Sequence, residues 1–415
     1  MTQWSPVWRV KVAGVDVTDS VLASLNITSG RTNIYEQAQA GYCSITLIVF
    51  DQVPIDYEIN DTLSVEVQDT SAVYTPIFGG SIVDIAVSVS EVGSTAYTQE
   101  VTITALGALA RLQKALTDGV LSHDFDGDQI YTILSEVLFA QWQQVPAAET
   151  WADYDPTVTW ATAENTGLGQ IDRPGNYELS QRSSSRTVIY DLVAALATSG
   201  LGYIYEDANG LIGYADSTHR TVYLAANGYT DLTANHALGR GITIKTRAGD
   251  VRNNVTIKYG QNSQNEVSDT DETSIYTYGT LAQIINTTIR HQADAEAQAA
   301  FYLELRAYPQ PIFEQITFAL TNPELDNSDR DSLINVFMGQ PIALNDLPTN
   351  MSAGTFQGFV EGFTFRASYN ELAVTLVMSP LAYSLQAMRW NDVPITETWA
   401  SVSPILQWQY ATIVS

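Results

Sequence analysis

The stretch "SGRTNIYEQAQAGYCSITLIVFD", residues 29–51, passes from a turn signal through an acid- and amide-rich loop into an uninterrupted apolar strand. It also holds the chain's only cysteine, Cys43. A reactive thiol would make this an enzyme, whereas a buried one would make the stretch an inner wall of β structure. Cys43 stands one residue before "SITLIVF", and no base is identifiable near it, so it reads as a small buried hydrophobe.

The second half of the stretch returns far along the chain. "SITLIVFDQVP" from Ser44 resembles "QITFALTNP" from Gln315. "FGGSIVDI" from Phe78 matches "FQGFVEGF" from Phe356, pairing Phe78 with Phe356 and Gly80 with Gly358. "VTITALGAL" follows the first and "VTLVMSPLA" the second; "DTLSVEV" resembles "QPIALND", and "RVKVAG" near the start resembles "VTIKYG" at Val255. The common order of these elements carries more weight than any single identity, and it predicts an internal duplication.

From Trp8 to Leu112 the chain shows short alternating or continuous apolar runs separated by turn residues, as in a barrel or sandwich. Then the period changes. "DGDQIYTILSEVLFAQW" sets Ile130, Ile133, Leu134, Val137 and Leu138 on one helical face. A loop-like segment follows from Pro146 to Arg182, and then a helix, "SSRTVIYDLVAALATSG", with serines for caps and Gly200 after its end. "LGYIYEDANGLIGYADS" predicts a hairpin turning at Asn209-Gly210. Strands resume near Lys245, interrupted by a polar loop "QNSQNEVSDTDETS" and one helix, "QADAEAQAAFYLELRAY". The expected class is mainly β with an α/β insertion: two related β-barrel domains, 1–112 and 246–385, flank an α/β domain, 113–245. A tail, 386–415, carries Trp390, Trp399 and Trp408 at nine-residue spacing.

Of 415 residues, 19 are Lys or Arg and 46 Asp or Glu, a net charge of -27. Such a surface repels phosphates and argues against a sequence-reading nucleic-acid binder. No apolar run approaches the roughly 18 residues of a membrane helix, and the N-terminus has no basic-then-apolar secretory pattern. One cysteine forms no internal disulfide.

Catalytic signals are sparse. His123, His219, His236 and His291 are scattered without metal-ligand spacing. No nucleophile elbow, phosphate loop or dinucleotide fingerprint occurs, so neither a cofactor nor a catalytic residue is expected. Asp124, Asp126 and Asp128 alternate as calcium ligands do, but the glycine position is wrong and no glutamate closes the loop. A helix cap by Asp126 or Asp128 is the simpler expectation. The acidic run Asp269–Ser274 reads as solvated. The tail tryptophans read either as wrapping back on their own domain or as anchors for a neighbour.

Several of these stretches resemble minor tail proteins of long-tailed phages that infect actinobacteria. Arg31, Gln37, Ala40, Gly41, Thr46, Leu47 and Asp51 carry the match in the opening stretch. "IFGGSIVDI" with "VTITALGALARL", the "GLGYIYEDANGLIGYADSTHR" hairpin, the segment ending "ELAVTLVMSP" and the tryptophan-spaced tail extend it over most of the chain. That family is similar to the central hub proteins of phage tails and contractile injection machines. The resemblance implies a non-enzymatic virion protein at the tail tip, made in the host cytoplasm. It implies a homotrimer whose two barrels per chain form a pseudo-sixfold ring that caps the tail tube and lets DNA pass. Expected partners are other copies of the chain, the distal tail protein, the tape measure protein and other minor tail proteins. No membrane insertion is expected. Expected subunit-interface residues are Arg31, Gln37, Phe78, Gly80, Phe356, Gly358, Trp390, Trp399 and Trp408. An acidic lumen would avoid trapping phosphates. Two rival readings remain at this stage: a peripheral glycan-binding tail protein using Trp151 and Trp160, and a wall hydrolase using two carboxylates.

Overall fold

The computed structural model describes residues 4–17, 21–49, 56–89, 99–142, 168–237, 242–309, 312–349, 351, 354–368 and 371–381. Trp151, Trp160, Trp390, Trp399 and Trp408 lie outside the described residues. Strands of three or more residues are numbered here in chain order.

The first module contains β1 (Trp8–Val12), β2 (Val21–Gly30), β3 (Gln39–Val49), β4 (Thr62–Gln68), β5 (Tyr74–Val89) and β6 (Gln99–Leu106). Alternation decides which side chains it buries. On β3, Cys43, Ile45 and Leu47 face the core while Ser44 and Thr46 face away. The apolar run "SITLIVF" is therefore a one-sided strand with small hydroxyls on its outer face.

The central region contributes α1 (Leu109–Lys114), α2 (Asp126–Trp142), β7 (Leu168–Ile171), α3 (Ile189–Ser199), β8 (Tyr203–Glu206), β9 (Ile212–Ala215) and α4 (His219–Asn227). No serine side chain caps α3: its N-cap is Val188, the last residue of a two-residue strand. Gly200 follows α3 as expected, but its φ is negative. It is glycine because a Cβ there would meet Asp126 Oδ2 at 2.5 Å and the Tyr214 hydroxyl at 2.7 Å. Gly210, at φ 79°, makes the expected left-handed turn of the β8–β9 hairpin.

Next come β10 (Thr230–Thr233) and β11 (Thr243–Lys245), and then a second small sheet of β12 (Asn254–Tyr259), β13 (Asn265–Thr270) and β14 (Ala282–Asn286). With it are α5 (Glu272–Tyr278) and α6 (Gln292–Arg306). The polar run read as a loop is thus strand β13 and helix α5, capped by Asp271 accepting from Ser274 N at 2.8 Å. Its polarity reflects an edge strand with most side chains in solvent. The chain closes with β15 (Ile312–Ala319), α7 (Asn327–Ile334), β16 (Pro341–Asn345), β17 (Phe356–Ser368) and β18 (Glu371–Pro380).

Hydrogen bonding joins twelve of these strands, with Val15–Asp16 at the edge as the thirteenth, into one sheet, while β7, β9 and β8 form one three-stranded sheet and β13, β12 and β14 another. The first module runs β2-β3-β6-β5-β4-β1 and the second β11-β15-β18-β17-β16-β10. Position by position, the strands also follow the same chain order. Leu63 pairs with Gly80 as Ile342 pairs with Gly358. Thr46 and Thr102 hydroxyls lie 3.4 Å apart, and their counterparts Thr317 and Thr375 lie 2.9 Å apart. A bulge falls at Val83 in β5 and at Glu361, the same position, in β17. The repeat is therefore one of strand order and, around this bulge, of register as well as of sequence.

One predicted match fails. "VTIKYG" is β12, which belongs to the small sheet, and the place corresponding to β1 is taken by β10. β10 runs parallel to β16, whereas β1 runs antiparallel to β4. Nor does any pairing among the described residues close either module into a barrel; the strands follow one open path, from which β16 and β10 branch at β17.

Two large cores result. One unites the inner faces of both modules, from Ile45, Val65 and Ile103 to Phe318, Val360 and Leu376. The other unites Leu109, Ile133, Val193 and Tyr214 of the central region with Ile257 and Ala299 of β12 and α6. Residues 254–303 thus pack with the central region, while β10 and β11 pair with the second module.

Candidate functional site

The feature that organises the chain is the seam where the modules meet. β2 pairs antiparallel with the C-terminal half of β17, from Leu25 opposite Ala367 to Gly30 opposite Gly362. At the end of the seam the backbones close tightly. Gly30 has φ 89°, and a Cβ on it would lie 2.4 Å from the Glu361 carbonyl oxygen; one on Gly362 would lie 2.6 Å from the Arg31 carbonyl oxygen. Glycine is required at both positions.

The bulge turns Glu361 inward, where it is 1% exposed. Its carboxylate accepts from Arg31 Nε at 2.6 Å and from both Arg220 terminal nitrogens at 2.8 and 3.0 Å. Ser379 Oγ also donates to it. Burial alone would raise its pKa, but Arg220 and then Arg31 outweigh that and hold the carboxyl down at about 2. Both guanidiniums lie over the Tyr203 ring, at 4.6 Å for Arg220 and 5.3 Å for Arg31. Glu361 therefore fastens β2, α4 and β8 to β17, uniting both modules with the central region.

A second buried carboxylate fastens the hairpin to the first module. Glu206 accepts from Gly41 N at 2.5 Å and Leu109 N at 3.1 Å, and burial pushes its pKa up to about 7. The hairpin tip also packs on β5, where a Cβ on Gly79 would lie 2.5 Å from the Asn209 carbonyl carbon. A third tie joins the modules directly: Asp331 accepts from Thr70 N at 2.8 Å and Thr70 Oγ1 at 2.5 Å.

Of the residues expected at a subunit interface, the six described ones also have contacts within their own chain. Arg31 binds Glu361 and the Glu36 carbonyl. Gln37 donates to Thr198 Oγ1 and the Gly202 carbonyl and accepts from Ile204 N. The loop after Arg31 thus reaches the central region, and Tyr35 meets the Arg306 guanidinium of α6 at 3.5 Å. Phe78 and Phe356 are buried, each folded over the glycine two residues on: a Cβ on Gly80 or Gly358 would lie 2.7 Å from that ring. A cavity of about 780 Å³ lies beside the network, lined by Arg31, Tyr35, Gln37, Tyr203, Arg220 and Tyr302.

Elsewhere the polar candidates disperse. Asp126 is buried and accepts from Asn176 N and Tyr177 N at 2.8 Å and from the Tyr214 hydroxyl, with burial raising its pKa to about 6. Asp128 pairs with Arg173 at 2.6 Å, and Asp124 accepts from Phe125 N. Among the described residues no three acidic, histidine or cysteine side chains are grouped to hold a metal. His219 sits beside Asp172, His291 beside Glu178, and His123 Nδ1 accepts from Gln181 N. Cys43 is buried in β3, which raises its thiol pKa.

Glu361, Arg220 and Glu206 were missed from sequence. A signal existed for the first, since a carboxylate inside the apolar strand "FQGFVEGF" must be paired if buried. Nothing local marks Arg220, 141 residues away.

No family model and no curated protein sequence matches the chain. Solved structures do. A tail protein from Neisseria meningitidis MC58 aligns over 92% of this chain and 98% of its own, with TM-score 0.57 and 12% identity. The 43 kDa tail protein of prophage MuSo2 from Shewanella oneidensis aligns over 93% of this chain and 99% of its own, with TM-score 0.52 and 11% identity. At these identities what is shared is the fold: over more than nine-tenths of its length the chain has the architecture of these two tail proteins.

Proposed function

We propose that the chain is a structural component of a phage-type tail, the central hub of the tail tip, acting as a homotrimer without catalytic chemistry. The observation that carries this reading is the duplicated module: two six-stranded units of the same strand order, fused edge to edge in one chain. Three such chains present six similar units, which reconciles a threefold tip with a sixfold tube. The full-length likeness to tail proteins supports the same assignment. In this role the protein resides in the virion after synthesis in the host cytoplasm. Its neighbours are the distal tail protein, the tape measure protein and other minor tail proteins. The net charge of -27 suits a ring through which DNA slides without sticking.

The test is the mass of the purified chain in solution, alone and with tail partners, together with electron microscopy of assembled tails. Three times the 45.4 kDa chain mass and a threefold ring are expected. A single copy in the tail, or a lateral position on it, would overturn the proposal.

A further inference from the structure

Among the described residues, the duplication leaves one edge filled in one module and empty in the other. In the second module, the C-terminal half of β17 is flanked by β18 on one side and β2 on the other. In the first module, the counterpart half of β5, Asp84–Val89, is flanked by β6, and its other edge carries no strand among the described residues. The exposure follows. Phe365 and Ala367 of β17 are 1% and 7% exposed, while their counterparts Val87 and Val89 are 52% and 50% exposed. An apolar strand edge left open in this way is a template for pairing with another chain.

The strand corresponding to β2 is β11, which pairs with β15 on one edge and has no strand on the other among the described residues. Among the described residues one chain therefore carries an empty socket, the β5 edge, and an unused plug, β11. The geometry points to a second copy of this chain as the occupant: β11 of one copy pairs antiparallel with Asp84–Val89 of the next, repeating between copies the seam that β2 and β17 make within one. Such a contact is heterologous, so it propagates around a ring. This rests on the hub reading and specifies the surface that the ring would use.

Register fits at Thr243, just before a bulge in β11, and charge fits beyond it. Asn26 pairs with Ser44 and with Arg366. Thr243 pairs with Gln315, the counterpart of Ser44, and Ser88 is the counterpart of Arg366, so Thr243 lies opposite Ser88 across the new seam. The plug segment carries the exposed basic residues Lys245 and Arg247 and no acid from Thr243 to Arg247, while the socket carries the exposed Asp84. The buried Glu361 network has no counterpart there, because the equivalent bulge residue is Val83. The in-chain seam is fastened by buried charges, and the seam between copies by backbone pairing, Ile85, Val87 and Val89, and a peripheral charge contact.

The test is a Ser88→Cys/Thr243→Cys double variant, oxidised mildly as purified chain and within assembled tails, with each single variant as control. Cys43 is buried and stays out of the reaction. Disulfide-linked dimers and trimers on non-reducing gels from the double variant alone are expected. A threefold trimer in which these two thiols stay unlinked overturns the seam and leaves the hub reading standing. Chains that remain single in both settings overturn both. Independently, Asp84→Lys should weaken trimer formation at least tenfold, with partial recovery on adding Arg247→Glu; an unaltered Asp84→Lys trimer also counts against the seam.

Discussion

Gly30 and Gly362 face each other at the closed end of the in-chain seam, each filling space that a single added carbon would take from the other strand's backbone. Gly30→Ala should therefore cost the left-handed strain of roughly 1–3 kcal/mol and a backbone displacement besides. Gly14→Ala is the control: φ is 79° there too, but nothing lies within 4 Å of the new Cβ. Thermal unfolding should show a clearly larger loss for Gly30→Ala. Equal losses would mean that the seam yields.

Removing the charge of Glu361 leaves Arg31 and Arg220 buried side by side. Glu361→Gln should cost about 3–5 kcal/mol, as breaking a buried ion pair does. The pH dependence has a definite sign. The carboxyl falls from an ordinary 4.5 to about 2 in the fold, so its stabilisation is complete above pH 4.5 and is lost as pH falls towards 2. Acid unfolding followed by circular dichroism should lose that component in Glu361→Gln.

Glu206 behaves in the opposite sense. Burial raises its carboxyl from 4.5 to about 7, so the fold favours the protonated form, and the group's contribution declines as pH rises from 4.5 through 7. Glu206→Gln strips an acceptor from Gly41 N or Leu109 N, costing about 1–3 kcal/mol. Denaturant midpoints should put the variant furthest below the parent near pH 4.5, with the gap narrowing by pH 8. A gap that widens with pH would refute the assignment.

Cys43 should ignore an aromatic disulfide reagent in the native chain and react within seconds once denaturant is added, since it is buried in β3 between β2 and β6. Rapid native labelling would show that this wall opens.

Much of this architecture was legible in the chain itself. "SITLIVF" and "QITF" occupy the same position in their modules because Thr46 and Thr317 each face a threonine on the next strand. The Phe-x-Gly pairs were readable because a ring folded over a glycine leaves both types fixed. β10 was not readable: Thr-Asp-Leu-Thr offers one apolar residue, and its partner β16 lies over a hundred residues on. β13 escaped for a related reason, since an edge strand with only Val267 inward shows the composition of a loop. Arg220 and Glu361 meet only through the folded path of the chain, and no local pattern on α4 announces that its second residue ends inside a sheet.

The excursion from β12 to α6 also sets an order of events during synthesis. The first module is contiguous from β1 to β6, and its strands pair as soon as they emerge. The second begins with β10 and β11 but must wait while residues 254–303 are made and packed elsewhere, because β15 to β18 follow them. β17 is nearly the last strand delivered, and β16, β18 and β2 all depend on it. Contacts this distant in sequence form late and slowly. A nascent chain therefore carries one edge of β2 unpaired through most of its translation, its other edge being held by β3, and the arrival of β17 is the step that covers it.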